Sequence, residues 1–524
     1  MPDPNPLLPP LIQGLLDPHL YPHPATAVEL IETHISWVLL AGEFAYKIKK
    51  PVDLGFLDFS ALEKRRFFCE EEVRLNQRLA PDLYLDVVPI GGTSGQPRWD
   101  RGVAIEYAVR MRRFPQQAQL DRMLAAGELR ASQLDAFAKL IADFHSTAAI
   151  ADADTPFGEP VTVYQPVEEN FHALRGALES RDALEQLNVL EARGMGHFLA
   201  LRDLLAVRKR EGFVRECHGD LHLRNLAWVK DRPLAFDCIE FDPALRWIDV
   251  MSEIAFLVMD LHAREQGPLA ARFLNGYLEH TGDYAGLDLL PFYQVYRALV
   301  RAKVDAIRLQ QTDVSTGEKE QIEAECARYL DLGRDFGKPG TPWLLITRGL
   351  SGSGKTTLSE GLVEQLGAIR IRSDVERKRL FGLPAEQSAG AEPGQGIYTA
   401  EAGRKTYAKL LELAESVLDA GYPVIVDAVF AEAEQRSPFE LLAANKGLPF
   451  VILEFSAAPE TLRERITSRP RGASDADLAV LERQLAHWQP LSTEEQGWLL
   501  TVDTEQALDG DRLAAEICAA VRSD

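Results

Sequence analysis

Cysteine is scarce in this chain. Its 524 residues hold five (Cys69, Cys217, Cys238, Cys326 and Cys518), and no two are spaced as C-x-x-C. That pattern argues against a zinc knuckle and for a reducing compartment. No apolar run approaches the ~20 residues needed to span a bilayer. The proline-rich start carries Asp3 and lacks the features of a secretory leader, so no membrane association and a cytoplasmic location are expected. Net positive charge is missing as well. The formal charge is −22, with 19 basic and 28 acidic residues over 341–524 and 38 and 51 in the remainder. An extended nucleic-acid surface is therefore not expected, although a short nucleic-acid end needs only a local basic pocket. There is no internal repeat and no low-complexity tract. The apolar (46%) and charged (26%) contents are those of a globular protein, and the length requires two or three cores.

What the chain does have is a phosphate-binding loop. Gly349-Leu-Ser351-Gly352-Ser353-Gly354-Lys355-Thr356-Thr357 follows the apolar run Trp343–Thr347 and precedes a helix-like spacing of Leu358, Leu362 and Leu366. This is G-x-x-x-x-G-K-[ST] in its proper strand–helix setting. Backbone N–H groups of such a loop, opening onto a helix N-terminus, form a concave polyphosphate site. The loop residues from Gly349 to Thr357 are expected to bind nucleotide. Lys355 would lie on the β/γ-phosphates and the Thr356 hydroxyl on Mg²⁺.

The stretch Asp335–Pro342 has two prolines and two glycines and marks a linker. It divides the chain into residues 1–334 and 343–524. The C-terminal part alternates strand-like runs (344–347, 368–372, 424–427, 450–455) with helical ones, which predicts an α/β domain with a parallel sheet and helices on both faces. The N-terminal part is less regular, an α+β mixture of strand-like and helical runs. Residues 36–50 read as a hairpin turning at Ala41-Gly42-Glu43, 60–80 as a helix and 103–111 as a strand. Helical patterning fills about 120 to 330, interrupted near 213–250.

That interruption reads Cys217-His218-Gly219-Asp220-Leu-His222-Leu-Arg-Asn225, followed by a turn and Leu234-Ala-Phe-Asp237. A loop thus presents a carboxylate and, five residues on, a carboxamide, and a strand delivers a second carboxylate. Phosphoryl transfer to a hydroxyl needs little more than an acceptor for the hydroxyl proton and oxygen ligands for Mg²⁺. Here the chain resembles the aminoglycoside phosphotransferase and choline kinase branch of the protein-kinase-like superfamily, whose H-G-D-x-x-x-x-N motif is complete. The resemblance implies that Asp220 is the catalytic base, that Asn225 and Asp237 are metal ligands, and that Asp249 holds the loop together. It also implies a nucleotide-binding lysine, Lys47 or its same-face neighbour Lys49, paired with Glu72. It further implies lobes at about 25–112 and 113–334, with Glu106–Met111 as the hinge that holds the base. One departure is clear: the segment Glu32–Ser36 has no glycine, so the glycine-rich phosphate cover of protein kinases is missing.

In the C-terminal part, Ile371-Arg-Ser-Asp374-Val-Glu-Arg377 puts a carboxylate at a strand end beside the phosphate loop, where it can take a proton from an acceptor hydroxyl. Ser373 or Asp374 would also serve as a helix cap. Arg377 is a candidate substrate contact or a solvated residue. Asp427 ends an apolar strand as a candidate metal carboxylate. Arg465 and Arg469 share a helical face that is either solvated or, as the kinase resemblance given next implies, part of a lid whose arginines are catalytic candidates. The S-D-x-x-R arrangement resembles small-molecule and polynucleotide kinases, a group that includes zeta toxins. The phosphate loop itself also resembles adenylylsulfate kinases.

The two resemblances together imply a bifunctional enzyme that uses ATP (or GTP) and Mg²⁺. Its N-terminal domain would act on a small-molecule hydroxyl. Its C-terminal domain would act on a nucleoside, a polynucleotide 5′-hydroxyl or a nucleotide-sugar. The rival expectation is a single active P-loop kinase regulated or neutralised by a nucleotide-binding, kinase-like module. The sequence does not specify an oligomeric state.

Overall fold

The computed structural model describes residues 8–522, apart from 56, 179, 311–313, 339, 385–395, 469–476 and 508. The chain forms two compact units, Met1–Glu168 with Arg202–Leu257 and Glu169–Leu201 with Val258–Asp524. Among the described residues no helix is long and apolar enough to cross a membrane, and all five cysteines are free thiols.

The first unit contains a six-stranded sheet built from β1 (Val28–Glu32), β2 (Ser36–Ala41), β3 (Phe44–Lys49), β4 (Tyr84–Thr93), β5 (Gln96–Trp99) and β6 (Glu106–Arg112). The strand order is β1-β2-β3-β6-β4-β5, and every pairing is antiparallel. The expected hairpin is β2–β3, closed at Gly42 with φ 57°, a backbone shape that glycine adopts without strain. The expected helix runs from Leu62 to Asn76. Around it Cys69, Ala80, Leu83, Tyr84 and Val109 form one buried cluster. A further cluster joins Ile12, Leu15 and Tyr21 to Trp37, Tyr46 and Trp99.

One expectation fails here. Glu106–Met111 is not a hinge but the body of β6. Its backbone is paired to β4 throughout and to β3 from Ala108 onward, which leaves only Glu106 and Tyr107 with an edge unpaired to a strand. The chain leaves the sheet only after Arg113, whose N–H still donates to Glu43 O.

Beyond the sheet, two short antiparallel pairs frame the interruption seen in the sequence. β7 (Val214–Glu216) pairs with β10 (Trp247–Asp249), and β8 (Leu226–Val229) pairs with β9 (Arg232–Ala235).

The second unit carries a five-stranded parallel sheet of β11 (Leu344–Arg348), β12 (Ile369–Arg372), β13 (Val424–Asp427), β14 (Phe450–Ser456) and β15 (Leu499–Asp503), in the order β12-β13-β11-β14-β15. Every residue of β11 and β13 is buried, as a parallel sheet covered on both faces requires. The sequence reading found four of these strands. It missed β15, an edge strand whose Leu-Leu-Thr-Val-Asp is only partly buried and so lacks the apolar run of its neighbours. The chain runs from β11 to β12 and β13 on one side and to β14 and β15 on the other. The carboxyl end of β11 is therefore the point where the order reverses, and open α/β sheets bind ligands there.

Candidate active sites

In the first unit, β3 and the helix Leu62–Asn76 build one wall of a charged cluster. Alternation along β3 puts Lys47 and Lys49 on one face, and both reach Glu72. Lys47 Nζ lies 2.8 Å from Glu72 Oε1 and 2.6 Å from Asp237 Oδ1. Lys49 Nζ lies 2.7 Å from Glu72 Oε2 and also binds Glu240. Exposure separates the two lysines. The Lys49 side chain is fully buried, whereas Lys47 is 13% exposed and its partner Asp237 47%. Lys47 thus lies nearer the surface, beside a half-exposed carboxylate, and Lys49 is enclosed.

Burial opposes charge on both lysines, but the surrounding carboxylates win and raise both above the usual lysine value. Burial likewise opposes charge on Glu72, yet the two lysines pull its carboxyl down to about 2. Glu240 is different: burial holds its carboxyl above the usual range in spite of Lys49.

The loop from Cys217 to Asn225 carries the second wall. Asp220 is partly exposed, and its Oδ2 accepts from Asn225 Nδ2 at 2.8 Å and lies 3.3 Å from His222 Nε2. His218 is buried. Its Nε2 donates to Phe236 O (2.8 Å), and its Nδ1 accepts from Asp220 N (3.3 Å). That arrangement is a neutral imidazole, and burial lowers its pKa accordingly. Gly219 has φ 88°, and a Cβ there would meet Leu245 O at 2.7 Å. Only glycine fits the turn that swings Asp220 outward.

What anchors this loop differs from expectation. Among the described residues the Asp249 carboxylate takes no hydrogen bond from it. It makes a buried two-pronged pair with Arg208 (2.7 and 2.8 Å) and accepts from Met251 N. Glu253 holds the loop instead, through bonds from His218 N (3.0 Å) and Gly219 N (2.7 Å), while His145 Nε2 lies 3.2 Å away. These partners hold the Glu253 carboxyl at about 2 although it is fully buried. Nothing in the string Met251-Ser-Glu253-Ile marks this glutamate as special. Glu240, two residues past Cys238, was missed for the same reason.

In the second unit the phosphate loop joins β11 to the helix Lys355–Leu366. Gly354 has φ 83° and caps that helix without a side chain, leaving its first N–H groups unclaimed by any cap. A Cβ on Gly349 would meet Ser353 Oγ at 2.7 Å and Phe455 O at 2.8 Å. Lys355 Nζ donates to Gly349 O (2.7 Å) and Leu350 O (3.0 Å). A cavity of about 490 Å³ opens here, and its walls include Lys355, Thr356, Asp374, Arg377, Asp427 and Arg465. The structure therefore gathers these candidates around one space with Ser351, Gly352, Gly354 and Thr357, while Gly349 and Ser353 are not part of its lining.

Asp427 is buried at the end of β13, 3.3 Å from Ser359 Oγ and 3.5 Å from Thr347 Oγ1. Asp374 sits in the first turn of the helix Ser373–Leu380. Neither it nor Ser373 caps that helix: Arg372 is the N-cap residue, without a side-chain bond. The Arg377 guanidinium lies 5.3 Å from the Tyr398 ring, with Nε 3.4 Å from Thr406 Oγ1. Tyr407 is tied to the fold, its hydroxyl accepting from Phe430 N. Arg465 donates to Thr504 Oγ1 (2.9 Å) and Thr504 O (2.7 Å) and reaches Gly352 O of the loop at 3.4 Å. Arg469 lies outside the described residues. Arg372 also lines this cavity and had not been picked out.

Two family models match the chain, that of the phosphotransferase enzyme family over residues 66–290 and that of an AAA domain over 344–491. The uncharacterized protein Rv2004c of Mycobacterium tuberculosis strain H37Rv is 33% identical over 479 residues, covering 89% of this chain and 92% of that protein. The uncharacterized protein Mb2027c of Mycobacterium bovis matches equally. The chain belongs to the family of these proteins. It joins a domain of the phosphotransferase enzyme family to a P-loop kinase-like domain of AAA type. Among solved structures, the amicoumacin kinase hAmiN is 12% identical with a TM-score of 0.40 over 61% of this chain and 92% of its own. A sugar kinase from Janibacter sp. HTCC2649 is 19% identical with a TM-score of 0.26 over 34% and 95%.

Proposed function

We propose that this phosphotransferase has two active sites, one in each domain, and that both pass the terminal phosphoryl of ATP (or GTP) to an alcohol. The proposed domains are 1–334 and 343–524, joined by 335–342. The observation that carries the proposal is the double gathering of groups. Lys47, Glu72 and Asp237 are bonded in one cluster, with Asp220 and Asn225 bonded to each other on the facing loop. Lys355, Thr356, Asp374 and Asp427 line a cavity in the other domain.

At the first site Asp220 is the base. Its carboxylate is partly exposed and held by Asn225 and His222, so it can accept the proton of an incoming hydroxyl. Lys47 binds donor phosphates and Glu72 fixes its position. At the second site the loop N–H groups and Lys355 bind the donor. For that Lys355 must leave the carbonyls of Gly349 and Leu350, which are weaker partners than phosphate. Asp374 is the base there, Arg377 binds the acceptor and Arg465 stabilises the transferring group.

The oxygen donors Asn225 and Asp237 at one site, and Thr356 and Asp427 at the other, suit a hard divalent cation such as Mg²⁺. No thiolate or imidazole competes in either set. When bound, that ion neutralises charge developing on the phosphates.

The acceptors we propose are a small-molecule hydroxyl for the first domain, and a nucleoside, polynucleotide 5′-hydroxyl or nucleotide-sugar for the second. The acidic chain favours a short acceptor in both cases. Asp220→Ala and Lys355→Ala, made separately in the full chain and assayed with γ-labelled ATP against pooled metabolites and 5′-hydroxyl oligonucleotides, test the reading. Two separate losses support it. Asp220→Ala that leaves every transfer intact would reduce the first domain to a regulatory module.

A further inference from the structure

The edge strand of the P-loop sheet, β12, is covered by a helix from earlier in the chain, Gly267–Thr281, in the same compact unit. The cover is specific. Asn275 takes the place of a neighbouring strand: its Nδ2 donates to Ala368 O (3.0 Å), and its Oδ1 accepts from Arg370 N (2.7 Å). One turn on, Glu279 binds two arginines of β12. Its Oε2 lies 3.4 Å from Arg370 Nη2, and its Oε1 accepts from Arg372 Nη1. A carboxylate that precedes the P-loop domain by more than sixty residues thus controls two cations beside the phosphate loop.

Each arginine leads to the site. Arg370 Nη1 donates to Thr356 O (3.1 Å) and Ser359 Oγ (3.2 Å), and Ser359 Oγ is 3.3 Å from Asp427. Arg370 therefore braces the first turn of the loop helix against the β13 carboxylate. Arg372 lines the cavity with Asp374 and Asp427. Its side chain is 13% exposed. Among the described residues its only hydrogen-bond partner is Glu279, although a guanidinium has five donors. Burial works against its charge, and Glu279, Asp427 and Asp374 more than restore it. A fixed cation with spare donors, at the mouth of a phosphate loop, is suited to charge developing on a transferring phosphoryl group.

We infer that Arg372 is a phosphate-binding residue of the P-loop site and that Glu279 is its positioning residue, acting across the boundary between the preceding helices and the P-loop domain. The inference rests on the reading of this cavity as a working site. It implies that the P-loop domain cut free at residue 343 would keep its motifs and lose its arginine clamp.

The test uses the full chain with Asp220→Ala, so that only the second site turns over. ATP hydrolysis, affinity for a fluorescent ATP analogue and thermal melting are measured for Lys355→Ala, Arg372→Gln, Glu279→Gln and the last two combined. Arg372→Gln should lower kcat about 10²-fold with analogue affinity changed only a few-fold. Glu279→Gln should lower kcat about tenfold with KM little changed, and the double variant should match Arg372→Gln alone, because coupled residues are not additive. Glu279→Gln with unchanged kcat, or effects that multiply in the double variant, would overturn the inference. So would a loss that only tracks a melting point below the assay temperature. Lys355→Ala that hydrolyses ATP at the parent rate would instead remove the underlying reading, a separate result.

Discussion

Lys47 and Lys49, two residues apart on β3, hold opposite oxygens of the same carboxylate, Glu72. The face they share explains why sequence alone cannot choose between them. Their second partners decide the matter. Lys47 goes on to the half-exposed Asp237, and Lys49 to the buried Glu240.

The two lysines should therefore fail in different ways. Lys47→Ala is expected to lower first-site transfer by roughly 10²-fold while the melting temperature moves little. Lys49→Met strands Glu240 in the interior and should cost about 3–5 kcal/mol of stability, the penalty for breaking a buried ion pair. Chemical denaturation together with a γ-phosphate transfer assay separates the two. Equal stability losses would contradict the assignment.

Glu253 supplies a pH prediction. Its folded pKa, about 2, lies below the ordinary 4.5, so the folded state binds fewer protons than the unfolded chain between those values. Its contribution is complete above about pH 4.5 and is lost as pH falls towards 2. Glu253→Gln keeps one good acceptor for three donors and should destabilise the protein at neutral pH by about 3 kcal/mol. The gap between wild type and variant should narrow steadily from pH 5 to pH 3 in urea melts. A gap independent of pH would show that the charge is not what holds the loop.

Asp374 and Asp427 should also part company. Asp374 is half-buried and has the role of proton acceptor. Asp374→Asn should lower second-site turnover by about 10²-fold, leaving nucleotide affinity intact. Asp427→Asn should weaken nucleotide binding in Mg²⁺ and leave binding without Mg²⁺ unchanged. Equilibrium titration with and without the ion distinguishes them.

Arg465 is tied to Thr504 and to the loop carbonyl of Gly352. Arg465→Ala should reduce turnover at the second site by about 10²-fold, the usual effect of losing a positioned cation. Steady-state kinetics at saturating ATP measures it. A change confined to KM would show that it serves binding alone.

Much of this was legible before any coordinates. The phosphate loop, the H-G-D-x-x-x-x-N string and four of the five parallel strands announce themselves because glycine geometry, phosphate chemistry and a doubly buried sheet each leave local signatures. Residues that act through tertiary partners leave none. Glu253 and Glu279 look like any helical glutamate until folding brings His218 and Gly219 to the one and Arg370 and Arg372 to the other. The hinge expectation failed for a related reason: whether a strand's backbone is free depends on what pairs with its two edges, and nothing inside Glu106–Met111 encodes that. Asp249 shows the limit of carrying a role over by position, since its partner is Arg208 and not the loop.

The central claim is two separate nucleotide sites on one chain. Calorimetric titration of the full protein with a nonhydrolysable ATP analogue and Mg²⁺ tests it most directly. The account predicts two analogue molecules per wild-type chain, one for Lys47→Ala, one for Lys355→Ala and none for the double variant. A wild-type stoichiometry of one, abolished by Lys355→Ala and untouched by Lys47→Ala, would contradict it.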